Sequence, residues 1–355
     1  MKISAISAND LDDSLIARWK ELQKLDPTLN RPFYHPEFTR LVSTVRPEVR
    51  IAVIESAGEI SAFLPFEIGS KKNICQVGLA LNDYHGLIGN LLDELPMHEV
   101  LRAVGARYWH FDHMPLAQKS LSPYVSIFST SPFMQLDGGL EQYHQRLAVF
   151  QKVKTPGVIA SMRKATNRLQ RDHGPLRFEW NERSQDVMNK MMAFKSAQWR
   201  RTAGASHDAF SQPWVINLLK NGHALTNHDF CGTLSSLHAG DKLVASHFGF
   251  RAGGVLHGSF ASFDPELSYY MPGSLLIHQF AEHGPRNGVS LFDMGRGTQD
   301  YKMRFATNTV SMGEGAISRP QFFANAELLL KGINIATKRK LKSIPFIMKI
   351  RSKFN

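Results

Sequence analysis

Apolar residues recur along this chain with two periods, and the switches between them divide it into elements. Over residues 10–24, Leu11, Leu15, Trp19 and Leu22 return at helical spacing, with Asp10 or Asp12 placed to cap the start. The turn Phe33-Tyr34-His35-Pro36 leads into a short helix with Phe38, Leu41 and Val42 on one side. Residues 50–55 and 60–68 read as two strands of a hairpin that turns on Ala57-Gly58-Glu59, and 73–81 as a third strand. A helix is expected over 94–105, a short strand over 108–111 that ends on Asp112, and a further strand over 122–128.

The second half runs the same programme. A strand at 176–180 precedes a helix at 185–199, the turn Phe210-Ser211-Gln212-Pro213, and a helix carrying Leu218 and Leu219. Strands at 230–237 and 243–250 flank Ala239-Gly240-Asp241, and a third strand covers 254–263. The Phe-to-Pro turns and their following apolar pairs lie 177 positions apart, the Ala-Gly-acid turns 182, and Phe111-Asp112 lies 181 before Phe292-Asp293. Ordered landmarks with small drift are the mark of a diverged tandem duplication. The copies differ in one region. Where the first has Leu81-Asn82-Asp83-Tyr84-His85-Gly86, the second has a long loop and Pro272-Gly273-Ser274. The first copy therefore reads as scaffold and the second as the working domain.

That working region is the stretch 259–306. A strand enters a turn-rich loop over 263–273, and the Pro-Gly-Ser start opens an apolar-periodic helix with Leu275, Leu276, Phe280 and Ala281. After Gly284, Pro285 and Gly288 a short strand ends on Asp293, and Gly295 and Gly297 precede Tyr301 and Lys302. Strand, loop, helix start, strand and acid is a layout suited to a phosphate-bearing ligand. Free N–H groups and the helix dipole hold a pyrophosphate without any lysine.

Length and composition narrow the picture. At 355 residues the chain has room for about two domains, and 43% hydrophobic with 21% charged residues is globular. Cys75 and Cys231 are isolated, which argues against a zinc site and for a reducing compartment. The first residues lack the apolar core of a signal peptide, and no run reaches the roughly 18–20 apolar residues of a membrane span, so a cytoplasmic protein is expected. The formal charge of +11 is concentrated: residues 142–171 and 331–355 each contain lysines and arginines but no acid. Such runs expect an acidic partner, or they simply keep a soluble chain soluble. In the second run, Lys338-Arg339-Lys340 followed by Ile344, Phe346 and Ile347 suits either an anionic membrane surface or an ordinary packed helix.

The order of elements is that of the GNAT acyltransferase superfamily. More closely, Tyr270-Met271-Pro272-Gly273-Ser274-Leu275-Leu276, Phe292-Asp293-Met294-Gly295-Arg296-Gly297, Tyr301-Lys302 and the basic run 161–169 resemble the CelD/BcsL-type acetyltransferases of cellulose and exopolysaccharide biosynthesis. These are cousins of the tandem-GNAT FemABX aminoacyl transferases. The resemblance implies an α+β fold of three αβα layers, with two tandem GNAT-like domains whose sheets are mixed and mostly antiparallel. The expected divisions are a degenerate domain at 1–140, an acyltransferase domain at 141–318 and a basic helical tail at 319–355. It also implies acetyl-CoA or another acyl-CoA as co-substrate and no metal. The donor's pyrophosphate would sit at Gly273 and Ser274, its pantetheine along 254–263, with Met271, Ser259 and Lys302 as further contacts. The usual phosphate loop of the superfamily is richer in Gln, Arg and Gly than this one.

Acyl transfer needs a base for the acceptor, a polarised carbonyl and a proton for the leaving thiolate. Asp293, at the end of a central strand, can orient or deprotonate the acceptor, or instead cap the following turn. Tyr301 stands where the resemblance places the acid that protonates the CoA sulfur, and can also be mere packing. His257, on the face of the third strand beside the thioester path, can act as base or be one of many structural histidines. The acceptor expected from the resemblance is a small or lipid-linked saccharide, handled in the cytoplasm or at the inner membrane face, with no nucleic acid. A FemABX-like aminoacyl transfer and a non-catalytic anion-binding role are the alternatives.

Overall fold

A computed structural model describes residues 1–69, 72–89 and 95–318 of the chain. The basic segment expected beyond 318 lies outside the described residues. The first half comprises β1 (Lys2–Ser7), α1 (Asp13–Lys24), α2 (Pro36–Ser43), β2 (Arg50–Ser56), β3 (Glu59–Ile68), β4 (Asn73–Cys75), β5 (Ile88–Gly89), α3 (Met97–Ala103), β6 (Tyr108–Pro115) and β7 (Val125–Gln135). Two helices, α4 (Gly139–Gln151) and α5 (Gly157–His173), join it to the second half. There follow β8 (Leu176–Glu179), α6 (Gln185–Thr202), α7 (Pro213–Ala224), β9 (Phe230–Ala239), β10 (Lys242–Ala252), β11 (Val255–His257) and β12 (Phe260–Phe263). The chain then forms α8 (Pro272–His283), β13 (Leu291–Asp293), α9 (Asp300–Met303) and β14 (Asn308–Ser318).

The fold is α+β, with helices on both faces of one mixed, mostly antiparallel sheet. Period-two strands feed the two layers separately. In β2, Ile51 and Val53 join one core, while Ala52 and Ile54 join the other. The first core runs continuously under both halves, gathering Trp19 of α1, Phe38 of α2, Met188 of α6 and Leu218 of α7. Opposite it, α3 covers the first half of the sheet, and α4, α5 and α8 cover the second. The repeated turns fold alike. Pro36 and Pro213 each begin a helix, α2 and α7, where a missing N–H costs nothing. The two Ala-Gly turns join β2 to β3 and β9 to β10 as antiparallel hairpins.

The halves exchange strands. The sheet runs β1-β2-β3-β4-β6-β14-β7-β13-β11-β10-β9-β8. Thus β14, late in the chain, lies between β6 and β7, with Met312 opposite Pro115 on one side and Asn308 opposite Phe133 on the other. In turn β7 is the antiparallel neighbour of β13, where Asp293 faces Phe133. The division expected at 140/141 falls between β7 and α4, yet each half completes its sheet with a strand of the other.

Candidate active site

A notch in the sheet organises the site. β11 runs parallel to β13 only from Val255 opposite Leu291 to His257 opposite Asp293. The chain then bulges at Gly258 and Ser259: the Gly258 N–H donates to the Asp293 carbonyl at 2.7 Å, and the Ser259 N–H turns back to the His257 carbonyl at 3.0 Å. Past the bulge, β12 pairs, among the described residues, with β10 alone. Its outer edge therefore leaves main-chain groups open to an extended ligand. A side chain at Gly258 would meet the Asp293 carbonyl and the Phe292 ring, each at 3.2 Å, so glycine permits the pinch.

At the far end of β12 the chain makes one turn, Pro265–Tyr270, and enters α8. Met271, with φ of 56°, is the N-cap, and among the described residues no side chain caps the helix. Pro272 has no N–H to give, which leaves Gly273 and Ser274 as the donors of a bare helix start. Nothing in the fold requires glycine at 273: its φ is not left-handed, and an added Cβ would meet only Phe263, at an ordinary 3.7 Å. That contact also sets the helix start beside the end of β12. A cavity of about 160 Å³ opens there as well, lined by Phe194, Gln198 and Arg201 of α6 with Phe263 and Pro265.

The apex of the notch is built from both halves. His257 is 1% exposed. Its Nδ1 lies 2.9 Å from Ser259 Oγ, and its Nε2 lies 3.3 Å from Asp83 Oδ2, at ion-pair distance but short of hydrogen-bond geometry. Asp83 also accepts from the Arg296 N–H at 3.1 Å. Burial alone would raise its carboxyl; His257 and that N–H outweigh it and hold the group well below the usual carboxylate range. At 30% side-chain exposure, Asp83 is an ionised group that solvent still reaches.

Asp293 is different. It is 1% exposed, and Oδ2 receives Arg31 Nε at 2.6 Å and the Tyr84 hydroxyl at 2.5 Å, while Oδ1 receives the Gly295 N–H at 2.9 Å. Burial pushes its carboxyl up, but Arg31, His257 and these donors bring it net below the ordinary value. Both oxygens are engaged. The geometry assigns Asp293 to locking the halves together rather than to the acceptor proton suggested by its strand-end position. Lys302 is also redirected. It is 8% exposed and donates to the Arg296 carbonyl at 2.6 Å, so it clamps the Gly295–Gly297 loop rather than facing out as a donor contact. Burial lowers its ammonium, with Asp83 and Asp293 opposing. Tyr301 is half-exposed beside this loop, and burial followed by the charge of Asp83 raises its phenol, keeping the proton in place.

The first half is thus not scaffold alone. Asp112, the counterpart of Asp293, accepts from the Arg296 guanidinium. A bulge in β6, where Asp112 and His113 stand opposite Glu314, gives His113 a φ of 56° and sets its ring 5.2 Å from that of Tyr84. His113 is 2% exposed, and among the described residues its Nε2 has no hydrogen-bond partner. From the second half, Lys195 of α6 lies over Trp199 at 5.3 Å and near Lys302; burial and that neighbour lower its pKa to about 8. Sequence reading passed over Arg31, Asp83, His113 and Lys195. The available signal was the polar stretch Asn82-Asp83-Tyr84-His85, lying where the second copy has its loop. Among the described residues, no cluster of His, Cys, Asp or Glu could hold a metal ion. No helix of these residues is long and apolar enough to cross a membrane.

Comparison with known proteins agrees with this geometry. Residues 158–303 match the family model described as an acetyltransferase (GNAT) domain. Among solved structures, FemX superposes with a TM-score of 0.57 at 10% identity, covering 90% of this chain and 98% of that one. The C-terminal domain of a putative lysylphosphatidylglycerol synthetase from Agrobacterium fabrum gives 0.53 at 15% identity, covering 90% and 95%. A conserved protein of unknown function from Bacteroides thetaiotaomicron gives 0.52 at 13%, covering 87% and 99%. No curated protein sequence matches significantly. Residues 158–303 carry an acetyltransferase domain of GNAT type, completed by strands of a second GNAT-like half, and the chain is an acyltransferase.

Proposed function

We propose that the chain moves an acyl group from acyl-CoA, acetyl-CoA foremost, to a hydroxyl or amine of a saccharide. The observation that carries the donor is the notch: an open strand edge that leads from His257 to an uncapped helix start at Gly273 and Ser274. The outer edge of β12 would pair with the pantetheine and the two N–H groups would receive the diphosphate. Bound there, acyl-CoA supplies an activated thioester. The chain's own groups do the rest. Asp83 and His257 share the acceptor's proton at the apex, with Ser259 fixing the imidazole. The Tyr301 hydroxyl, still protonated at neutral pH, holds a proton for the departing sulfur. Asp293 and Lys302 keep the loop in register.

The saccharide class rests on the resemblance of the Tyr270–Leu276 and Phe292–Gly297 motifs to enzymes of cellulose and exopolysaccharide synthesis, working in the cytoplasm or at the inner membrane face. The FemX-like fold favours a second reading, transfer of an aminoacyl group. Thermal shift separates the two. Stabilisation by acetyl-CoA or a longer acyl-CoA at micromolar concentration is expected, by roughly 2.7 kcal/mol at a hundredfold excess over Kd. A melting temperature unmoved by every acyl-CoA, yet raised by an aminoacyl-tRNA, would install the second reading.

A further inference from the structure

The acyl-CoA reading leaves one built surface unused. α5 packs on α8 and on the Pro265–Tyr270 turn, with Met162, Ala165 and Leu169 inward. Helical spacing sets Lys164 and Arg168 together along the edge that borders this turn. The Arg168 guanidinium lies over the Tyr269 ring, 4.4 Å from its centroid, and the ring remains 67% exposed. Nearby Arg171 is paired with Asp172 at 2.7 Å, and Tyr270 donates to the same carboxylate at 3.0 Å. Among the described residues, neither Arg168 nor Lys164 has a carboxylate partner, in a stretch of thirty residues that contains no acid at all. Two residues after Tyr269 the chain reaches Met271, the cap of α8.

Coenzyme A is a linear molecule: pantetheine, diphosphate, then adenosine bearing a 3′-phosphate. With the first along β12 and the second at Gly273 and Ser274, the third must leave past the turn that precedes α8. Tyr269 and the basic edge of α5 border that exit. We propose that Arg168 and Lys164 bind the 3′-phosphate of the donor while the exposed Tyr269 ring supports its adenine. A phosphomonoester is dianionic and its oxygens accept the paired N–H groups of arginine's planar fork, and Arg168 is already held over the Tyr269 ring. The proposal rests on the acyl-CoA reading above, and it gives the acid-free basic run a small nucleotide partner in place of a polymer.

Titration calorimetry with free CoA and 3′-dephospho-CoA tests it without any acceptor. Wild-type protein is expected to bind CoA about tenfold or more tighter than dephospho-CoA, the weight of a charge-assisted contact. Arg168→Ala should erase most of that preference and leave dephospho-CoA affinity unchanged, whereas Arg163→Ala, on a different side of α5, should keep it. Lys164→Ala, fully at the surface, gives a second variant whose fold is not in question and should lose part of the preference. Equal affinity of wild type for both ligands, or equal weakening of both by Arg168→Ala, overturns the assignment while the acyl-CoA reading stands. Failure of wild type to bind either ligand removes the acyl-CoA reading and this one with it.

Discussion

Two carboxylates stand close to one histidine, and their surroundings give them opposite work. Asp293 is enclosed and tied to Arg31, so its charge is spent on structure; Asp83 is open on one side and answers to His257. Replacing Asp293 with Asn leaves the Arg31 guanidinium buried without a counter-charge. That should cost about 3–5 kcal/mol in urea unfolding. Asp83→Asn, at a group solvent still reaches, should cost less stability than Asp293→Asn and lower acyl transfer by about a hundredfold or more, read as acceptor-dependent CoA release. The reverse pattern would return the catalytic role to Asp293. The sequence made Asp293 conspicuous because it ends an apolar strand, and hid Asp83 because its partners are remote in sequence. Burial and ion pairing depend on what arrives from elsewhere, and no local pattern encodes Arg31 beside Asp293.

At the scale of elements, periodicity was a good guide to helices and hairpins and a poor guide to their pairing. Of the stripe, Trp19 and Leu22 lie on the buried face of α1 while Leu11 is buried just ahead of its cap, and Pro272 opens α8 where expected. The strand expected at 254–263 is interrupted by the Gly258–Ser259 bulge, which defines the notch. Bulges leave only a glycine in the sequence, so their location depends on register with a neighbour. The helix start offers its own test. Since a Cβ at position 273 meets only Phe263, Gly273→Glu should melt within about 2 °C of wild type in the absence of ligand. It should show no thermal shift with acetyl-CoA, because a carboxylate then occupies the anion position. A preserved shift would move the diphosphate elsewhere.

For the whole molecule, four buried imidazoles link stability to acidity. Burial lowers His35 and His113 to about 4, and His85 and His247 to about 3. Two of them serve as acceptors in the neutral form: His35 takes the Glu37 N–H at 3.3 Å, and His85 the Asp112 N–H at 3.0 Å. An unfolded histidine titrates near 6.5, so between that value and about 4 the unfolded chain binds more protons than the folded one. Stability from these groups is therefore complete above pH 6.5 and drains away as pH falls toward 4. Each contributes a slope of about 1.4 kcal/mol per pH unit. Urea midpoints at pH 7.5, 6.0 and 5.0 should decline in that order; a flat series would mean that the imidazoles are protonated in the fold.

The exchange of strands also bears on how the molecule is made. A ribosome releases β6 and β7 long before it releases β14, which must come to lie between them. Until then the nascent first half holds two strand edges apart with nothing to bridge them, a state prone to sticking. Closing that gap and positioning the Arg296 loop against Asp83 and Asp112 are both late events, since β14 begins 12 residues after Arg296. Catalytic competence and structural completion thus come due together, so partly translated chains do not carry a finished site.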